Sequence, residues 1–251
     1  MIKFVIVTGS SGGIGQVLVD TFLDDNCHVI GIDKKSSRRI HENYKEIEAD
    51  LINFAKEENY RNKILDQIKK YQPKKIDNFY LINNAAIQIL EEIDKISFND
   101  WSDSFAVNSI APFFLVQSLI NQLKMSKGSV VNISSIHSRL TKPNFGCYAA
   151  SKSALESITR SLAIDLSSYG ITVNAISPAA IETEMLLKGF ENNPDKYENL
   201  KKHHPTKSIG SPHELAKFIK LICDNKSSFL TGAVLEFNGG IGGVLSDPDM
   251  L

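Results

Sequence analysis

The chain has 251 residues, 42% hydrophobic and 23% charged, with a formal net charge of −1. That is ordinary globular material, long enough for a full core, and the charge balance supplies no field to recruit nucleic acid or an acidic membrane. Cys27, Cys147 and Cys223 are far apart and odd in number, which fits reduced thiols in a cytoplasmic protein and argues against a disulfide framework or a metal site.

Residues 2–7 are a short β-branched run, expected as a buried first strand. The run passes straight into a glycine loop with no cleavage region, so it does not read as a signal peptide. No later apolar segment approaches the roughly 18 residues that cross a bilayer. TGSSGGIG, residues 8–15, follows, and then a helical pattern. Strand, glycine loop and helix together form a phosphate-binding setting: glycines admit a ligand close to backbone N–H groups, and the helix N-terminus favours negative charge. The spacing Gly9, Gly13, Gly15 (with Gly12 extra) is not the GxGxxG of the usual dinucleotide fingerprint.

Residues 28–33 form a second expected strand closed by Asp33, 18 residues after Gly15. A carboxylate near this offset accepts hydrogen bonds from an adenine ribose and repels a 2′-phosphate, which favours NAD over NADP. Lys34 and Lys35 follow directly and weigh the other way. Aspartate is also a common turn residue at a strand end. Residues 45–49 suggest a third strand, 53–71 a surface helix, and 78–82 a fourth strand running into NNAA, residues 83–86. A long helical pattern over 99–125 carries Asn108 and Pro112, with a kink expected at the proline.

Residues 128–133 are a fifth strand delivering Ser134 and Ser135, 136–147 a loop, and 149–169 a helix with Lys152. Tyr148 and Lys152 are four apart and share a helix face. An adjacent ammonium is expected to lower the phenol pKa from about 10 toward neutrality. Alone, such a pair is as readily an exposed decoration of an amphipathic helix. Residues 171–176 read as a sixth strand. The pattern loosens into an insert at about 184–206, where an α/β sheet places substrate-covering loops. His203 and His204 there read as a surface pair. A helix over 212–224, a last strand near 233–237 and a glycine-rich tail complete the chain. The βα alternation without a linker predicts one doubly wound Rossmann-type α/β domain over 1–251, with a mostly parallel sheet of about seven strands.

With these residues in view, the chain resembles the short-chain dehydrogenase/reductase family over nearly its whole length. TGSSGGIG matches the TGxxxGxG cofactor loop. NNAA matches NNAG with Ala86 for glycine, and Ser135, Tyr148 and Lys152 match the catalytic set, with Asn108 in the fourth catalytic position. SPAAIETEM, residues 177–185, resembles the segment after the sixth strand, with Ala179 for glycine, and TGAVLEFNGG, residues 231–240, resembles the last strand.

The resemblance implies an NAD(H)-dependent oxidoreductase moving hydride between nicotinamide and a secondary alcohol or carbonyl compound. Tyr148 would be the general acid/base, Ser135 would hold the substrate oxygen, Lys152 would tune Tyr148 and bind the nicotinamide ribose, and Asn108 would hold a relay water. Gly9, Ser11, Gly13, Ile14 and Gly15 would form the pyrophosphate loop and Asp33 would take the adenine ribose. Asp50 and Leu51 would flank adenine, Asn84, Ala85 and Ala86 the ribose side, and Ile181 and Thr183 the nicotinamide carboxamide. No nucleic acid or membrane partner is expected. Family members are usually tetramers or dimers joined through the helices around 101–125 and 149–169, which implies a homotetramer or homodimer. Two alternatives stand beside this reading: an NADPH-dependent 3-oxoacyl carrier-protein reductase, which Asp33 argues against, and a cofactor-binding sensor or scaffold without catalysis, which the intact Ser135, Tyr148, Lys152 and Asn108 argue against. His137, Arg139, Pro143, Asn144 and Phe145 are expected near the substrate.

Overall fold

The computed structural model describes residues 1–191, 193–225 and 227–245. Seven strands make one sheet: β1 (Lys3–Thr8), β2 (His28–Asp33), β3 (Tyr44–Glu48), β4 (Asn78–Asn83), β5 (Ser129–Ile133), β6 (Thr172–Pro178) and β7 (Val234–Phe237). Their order is β3-β2-β1-β4-β5-β6-β7, and every pairing between neighbours is parallel. The connections are helical. α1 (Gly13–Leu23) follows β1, and α2 (Leu51–Lys56) and α3 (Glu58–Tyr71) follow β3. After β4 come α4 (Phe98–Phe105), a π-turn at Ala106–Ile110, α5 (Ala111–Ser118) and α6 (Ile120–Ser126). α7 (Gly146–Leu166) follows β5, and α8 (Glu184–Phe190), α9 (Pro194–His203) and α10 (Pro212–Asp224) lie between β6 and β7.

The strands read as continuous apolar runs because both faces of the sheet are covered. Alternate residues divide between two cores. Phe4, Ile6, Phe79 and Leu81 pack with Leu115, Leu162 and the π-turn on one face. Val5, Val7, Tyr80 and Ile82 pack with Leu18, Phe22, Leu215 and Ile219 of α1 and α10 on the other.

Four expectations are revised. The helix expected over 53–71 starts at Leu51 and is divided at Glu57, which is extended (φ −120°, ψ 112°). Pro112 is the second residue of α5, which continues directly from the π-turn Ala106–Ile110, so the irregular turn lies just before the proline. The long helix is interrupted by that π-turn around Asn108 and by a 62° bend between Ser118 and Ile120. α7 begins three residues earlier than 149. His203 and His204 are not a surface pair. His203 is exposed, but His204 at the end of α9 is 3% exposed, with Nδ1 2.9 Å from the Leu200 carbonyl.

Within residues 184–206 the chain forms α8 and α9. Residues 246–251 of the glycine-rich tail lie outside the described residues. Among the described residues no single helix is long and apolar enough to cross a membrane, and no group of three or more His, Cys, Asp or Glu side chains gathers to hold a metal ion.

Candidate active site

The C-terminal ends of β1, β2 and β4 open on a cleft of about 680 Å³. It lies between β1 and β4, where the strand order reverses and the connections part to opposite faces. Its floor is the glycine loop. Gly9 is left-handed (φ +66°), and a Cβ there would stand 2.8 Å from the Ala85 Cα. A Cβ on Gly13 would stand 2.9 Å from the Thr183 Cβ, and one on Gly15 only 1.9 Å from the Gly9 carbonyl oxygen. The glycines therefore let the loop fold onto α1 and leave bare backbone at the cleft. Gly13, Ile14 and Gly15 line it. As the first turn of α1, their N–H groups have no intrahelical acceptor and suit an anion.

Asp33 lines the cleft at the end of β2. Its carboxylate accepts from Ser11 N (2.9 Å) and Lys35 N (3.0 Å), which fixes its orientation and leaves lone pairs on both oxygens. Ser11 is not among the lining residues: its hydroxyl donates to the Lys35 carbonyl (2.7 Å). Asp50 lines the cleft with Leu51, but its oxygens are already used, capping α2 through Ile52 N (2.9 Å) and pairing with Lys34 (2.9 Å). Asn84, Ala85 and Ala86 form the opposite wall. The Asn84 amide donates to the Thr8 and Gly9 carbonyls (3.0 and 3.1 Å), so it braces β4 against the loop. Neither Ala86 nor Ala179 has positive φ, which is why alanine fits where glycine is usual. Thr183 lines the cleft and caps α8. Ile181 is buried outside it, bridged to Gly210.

Tyr148 stands at the rim, with the Ser135 hydroxyl close enough to act on its phenol. Lys152, one turn further along α7, is 1% exposed. Its Nζ lies 5.8 Å from the centre of the Tyr148 ring and donates to the Ile133 carbonyl (2.6 Å). The expected tuning of tyrosine by lysine is not what this geometry produces. Burial pushes the Tyr148 phenol up, offset only by the Ser135 hydroxyl. Burial also pushes the Lys152 ammonium down to about 7, with Glu156 opposing. A shared helix face brings the two side chains together, but desolvation outweighs their mutual field. The result is a lysine that exchanges its proton near neutral pH beside a phenol held protonated.

Asn108 is wholly buried in the π-turn. Its Oδ1 accepts from Ile87 N (2.9 Å), and Nδ2 donates to the Ile87 carbonyl (2.9 Å) and to Ser151 Oγ (2.9 Å). Ser151 in turn donates to the Tyr148 carbonyl (2.8 Å). Both amide hydrogens are spent on pinning the cleft wall and α7, so the side chain positions the site. Ser151 was not singled out from sequence, and its place three residues after Tyr148 on the same helix is the signal that could have found it.

Beside Tyr148 the loop after Ser135 forms an aromatic wall. His137 stacks on Phe145 with ring centres 4.1 Å apart, and both present edges to the Tyr148 ring. Burial, with Lys142 nearby, holds the His137 imidazole below its usual range. Arg139 turns away to Glu236 (2.7 Å) and the Gly242 carbonyl (3.1 Å), tying the loop to the end of β7.

A bare glycine cradle under a helix N-terminus, a carboxylate at the end of β2, and a tyrosine at the mouth of the same cleft with Ser135 and Lys152 beside it fit a dinucleotide with a reacting group at one end. The family model described as Enoyl-(Acyl carrier protein) reductase matches residues 9–242. The chain belongs to the short-chain dehydrogenase/reductase family. It is thus an oxidoreductase of that family by descent and fold.

Protein FixR of Bradyrhizobium diazoefficiens is 40% identical over 145 residues, 57% of this chain and 50% of that protein, so the chain matches about half of that relative's length. The NAD-dependent glycerol dehydrogenase of Listeria innocua is 30% identical over 248 residues, 95% of this chain and 93% of that protein. Among solved structures, ElxO with NADP bound superposes with a TM-score of 0.86 at 25% identity, covering 97% of this chain and all of that one.

Proposed function

We propose that this short-chain dehydrogenase/reductase is an NAD(H)-dependent enzyme that oxidises a secondary alcohol or reduces the matching carbonyl compound, with Tyr148 as general acid/base. The observation that carries this reading is Tyr148 lining the glycine-floored cleft with Ser135 and the buried Lys152 as its neighbours. Tyr148 passes a proton to or from the substrate oxygen, and Ser135 donates to that oxygen and holds it against the phenol. Lys152, whose proton is labile near neutral pH, resets the charge of the pair. The residues that would hold the dinucleotide are the Gly9–Gly15 loop at the pyrophosphate, Asp33 at the adenine ribose and Thr183 at the nicotinamide end. When bound, the nicotinamide supplies the hydride acceptor or donor.

Preference for NAD over NADP rests on charge. Asp33 presents a carboxylate where a 2′-phosphate would lie, while Lys34 is paired with Asp50 and Arg39 with Asp20. The glycerol dehydrogenase relative is NAD-dependent. The test is a screen of secondary alcohols, sugars and hydroxy acids followed by nicotinamide absorbance, with initial rates in both cofactors. Asp33→Ser is expected to narrow the NAD preference by about tenfold, as expected for loss of one ribose-facing charge and its hydrogen bonds. A wild-type enzyme that strongly prefers NADPH, above all with a 3-oxoacyl substrate, overturns the Asp33 assignment.

The family's assembly into homotetramers or homodimers is proposed for this chain as well. Phe98, Trp101 and Phe113 are exposed around α4 and α5, and Ile164 on α7, an apolar surface that suits a second copy. Light scattering that returns a monomer mass at micromolar concentration would sink this part.

A further inference from the structure

Tyr148 and Lys152 continue along α7 into Glu156, again four residues on and therefore on the same helix face. Its carboxylate oxygen Oε1 accepts from two hydroxyls, Ser134 (2.7 Å) and Ser138. These two serines bracket Ser135. Ser134 is 2% exposed and closes the ladder between β5 and β6 through its N–H to the Ile176 carbonyl (2.8 Å). Ser138 ends the short turn Ile136–Ser138. Two more bonds from the same helix face grip the same stretch: Lys152 Nζ to the Ile133 carbonyl (2.6 Å) and Ser153 Oγ to the Ser138 carbonyl (2.6 Å).

We propose that Glu156 is a positioning residue for the reaction: one carboxylate oxygen, holding Ser134 and Ser138 against α7, sets the place of Ser135 opposite Tyr148. The proposal rests on the reading of Ser135, Tyr148 and Lys152 as the reacting set. Its physical basis is that Ser135 lies where a strand leaves the sheet. There the backbone ladder ends. Ser135 is held by the turn that follows it, through Ser138 N to its carbonyl (2.9 Å) and His137 N to its hydroxyl (3.3 Å), and the side chains that anchor this turn to α7 set where the hydroxyl stands. A charged acceptor is well suited, since hydroxyl–carboxylate bonds are about twice as strong as neutral ones. A carboxylate also adds something a neutral clamp would not. Among the described residues Glu156 is the charged group whose field reaches Lys152, with the Tyr148 phenol its other titratable neighbour, and that field favours the ammonium against its burial.

The two contributions separate by mutation. Glu156→Ala is expected to lower kcat about tenfold on the alcohol found by the screen, with KM and nicotinamide-fluorescence binding of NADH little changed. Glu156→Gln, which keeps an acceptor but removes the charge, is expected to retain most of kcat. It moves the Lys152 ammonium titration, followed by NMR of the side-chain nitrogen in the protein alone, down by about one pH unit. The double variant Ser134→Ala, Ser138→Ala is expected to reproduce the kcat loss with the Lys152 titration unmoved. Hydrogen exchange of the 134–140 segment is expected to quicken in Glu156→Ala and in the serine double variant.

Wild-type kcat in Glu156→Ala, or unchanged exchange in both clamp variants, overturns the proposal. Failure of the underlying reading shows differently: Tyr148→Phe would then leave turnover intact, while the exchange and titration responses to Glu156 would still report the clamp.

Discussion

Two lysine–tyrosine pairs sit at opposite ends of the same sheet and have opposite chemistry. At the C-terminal edge Lys152 and Tyr148 face neutral groups, the Ile133 carbonyl and the Ser135 hydroxyl. At the N-terminal edge Lys3 and Tyr80 face carboxylates. Lys3 bonds Asp25 (2.7 Å) and Asp224 (3.0 Å), Lys220 pairs with both, and the Tyr80 hydroxyl donates to Asp224 (3.0 Å). Burial lowers both lysines, but at Lys3 the two carboxylates more than reverse it and raise its pKa above the ordinary lysine value. At Lys152 one more distant carboxylate cannot, and the value falls to about 7. A satisfied network stores its protons and holds β1, α1 and α10 together. An under-satisfied pair keeps a proton within reach of neutral pH and lowers stability to do so.

Removing one hydroxyl at each end gives the widest separation. Tyr148→Phe is expected to reduce turnover by about 10²–10⁴-fold, the range for a general acid/base, with NADH binding retained. Tyr80→Phe is expected to leave turnover unchanged and to lower stability by about 1 kcal/mol for its lost bond to Asp224. Steady-state rates and urea unfolding read both. Equal effects on turnover from the two variants would collapse the contrast.

The lysines sharpen it, because their stability effects should have opposite signs. Lys152→Met removes a wholly buried ammonium. It is expected to raise stability by about 1–3 kcal/mol at pH 6 while turnover falls by about 10²-fold or more. Lys3→Met leaves Asp25 and Asp224 with only Lys220. It is expected to lower stability by about 1 kcal/mol, a modest figure because the pair is partly exposed, and to spare turnover. A Lys152→Met protein less stable than the wild type would show that the Ile133 bond outweighs the burial penalty.

What the sequence made legible follows from what is local. β1 and β4 were readable because strands buried on both faces leave unbroken runs such as Val5-Ile6-Val7 and Leu81-Ile82. The cleft residues were readable because glycines at Gly9, Gly13 and Gly15 have few other reasons to cluster between a strand and a helix. The breaks in the 98–126 helices were not readable from apolar spacing. That spacing continues across the π-turn and across the bend at Leu119. Helical spacing placed Lys152 beside Tyr148 but carried no information on burial depth, and depth decides the direction of both pKa values. Glu156 escaped notice because a glutamate on a helix reads as a solvated charge until the serines that approach it are seen.

The smallest expected effect is a slope in stability against pH that belongs to one end of the sheet alone. Lys152 titrates at about 7 in the folded chain and near 10.4 when unfolded. Between those values the unfolded chain binds more protons than the native one, so the penalty of the buried ammonium, full below about pH 7, is relieved as pH rises. The N-terminal network contributes no slope there. Asp25 and Asp224 are lowered by their lysine partners despite burial, so their stabilisation is present above about pH 4 and lost only as pH falls through the lowered folded values. Lys3 and Lys220 are raised, so theirs is complete below about pH 10 and lost above it. The useful window closes near pH 8. Burial raises the Cys27 and Cys223 thiols, and once unfolded thiols ionise near pH 8.5 they turn the slope downward. From pH 7 to pH 8, then, urea unfolding should show stability rising by about 1 kcal/mol in the wild type and in Lys3→Met, and staying flat in Lys152→Met. If Lys152→Met keeps the wild-type slope, the neutral-range proton belongs to another group and the two ends of the sheet do not differ in the way their partners imply.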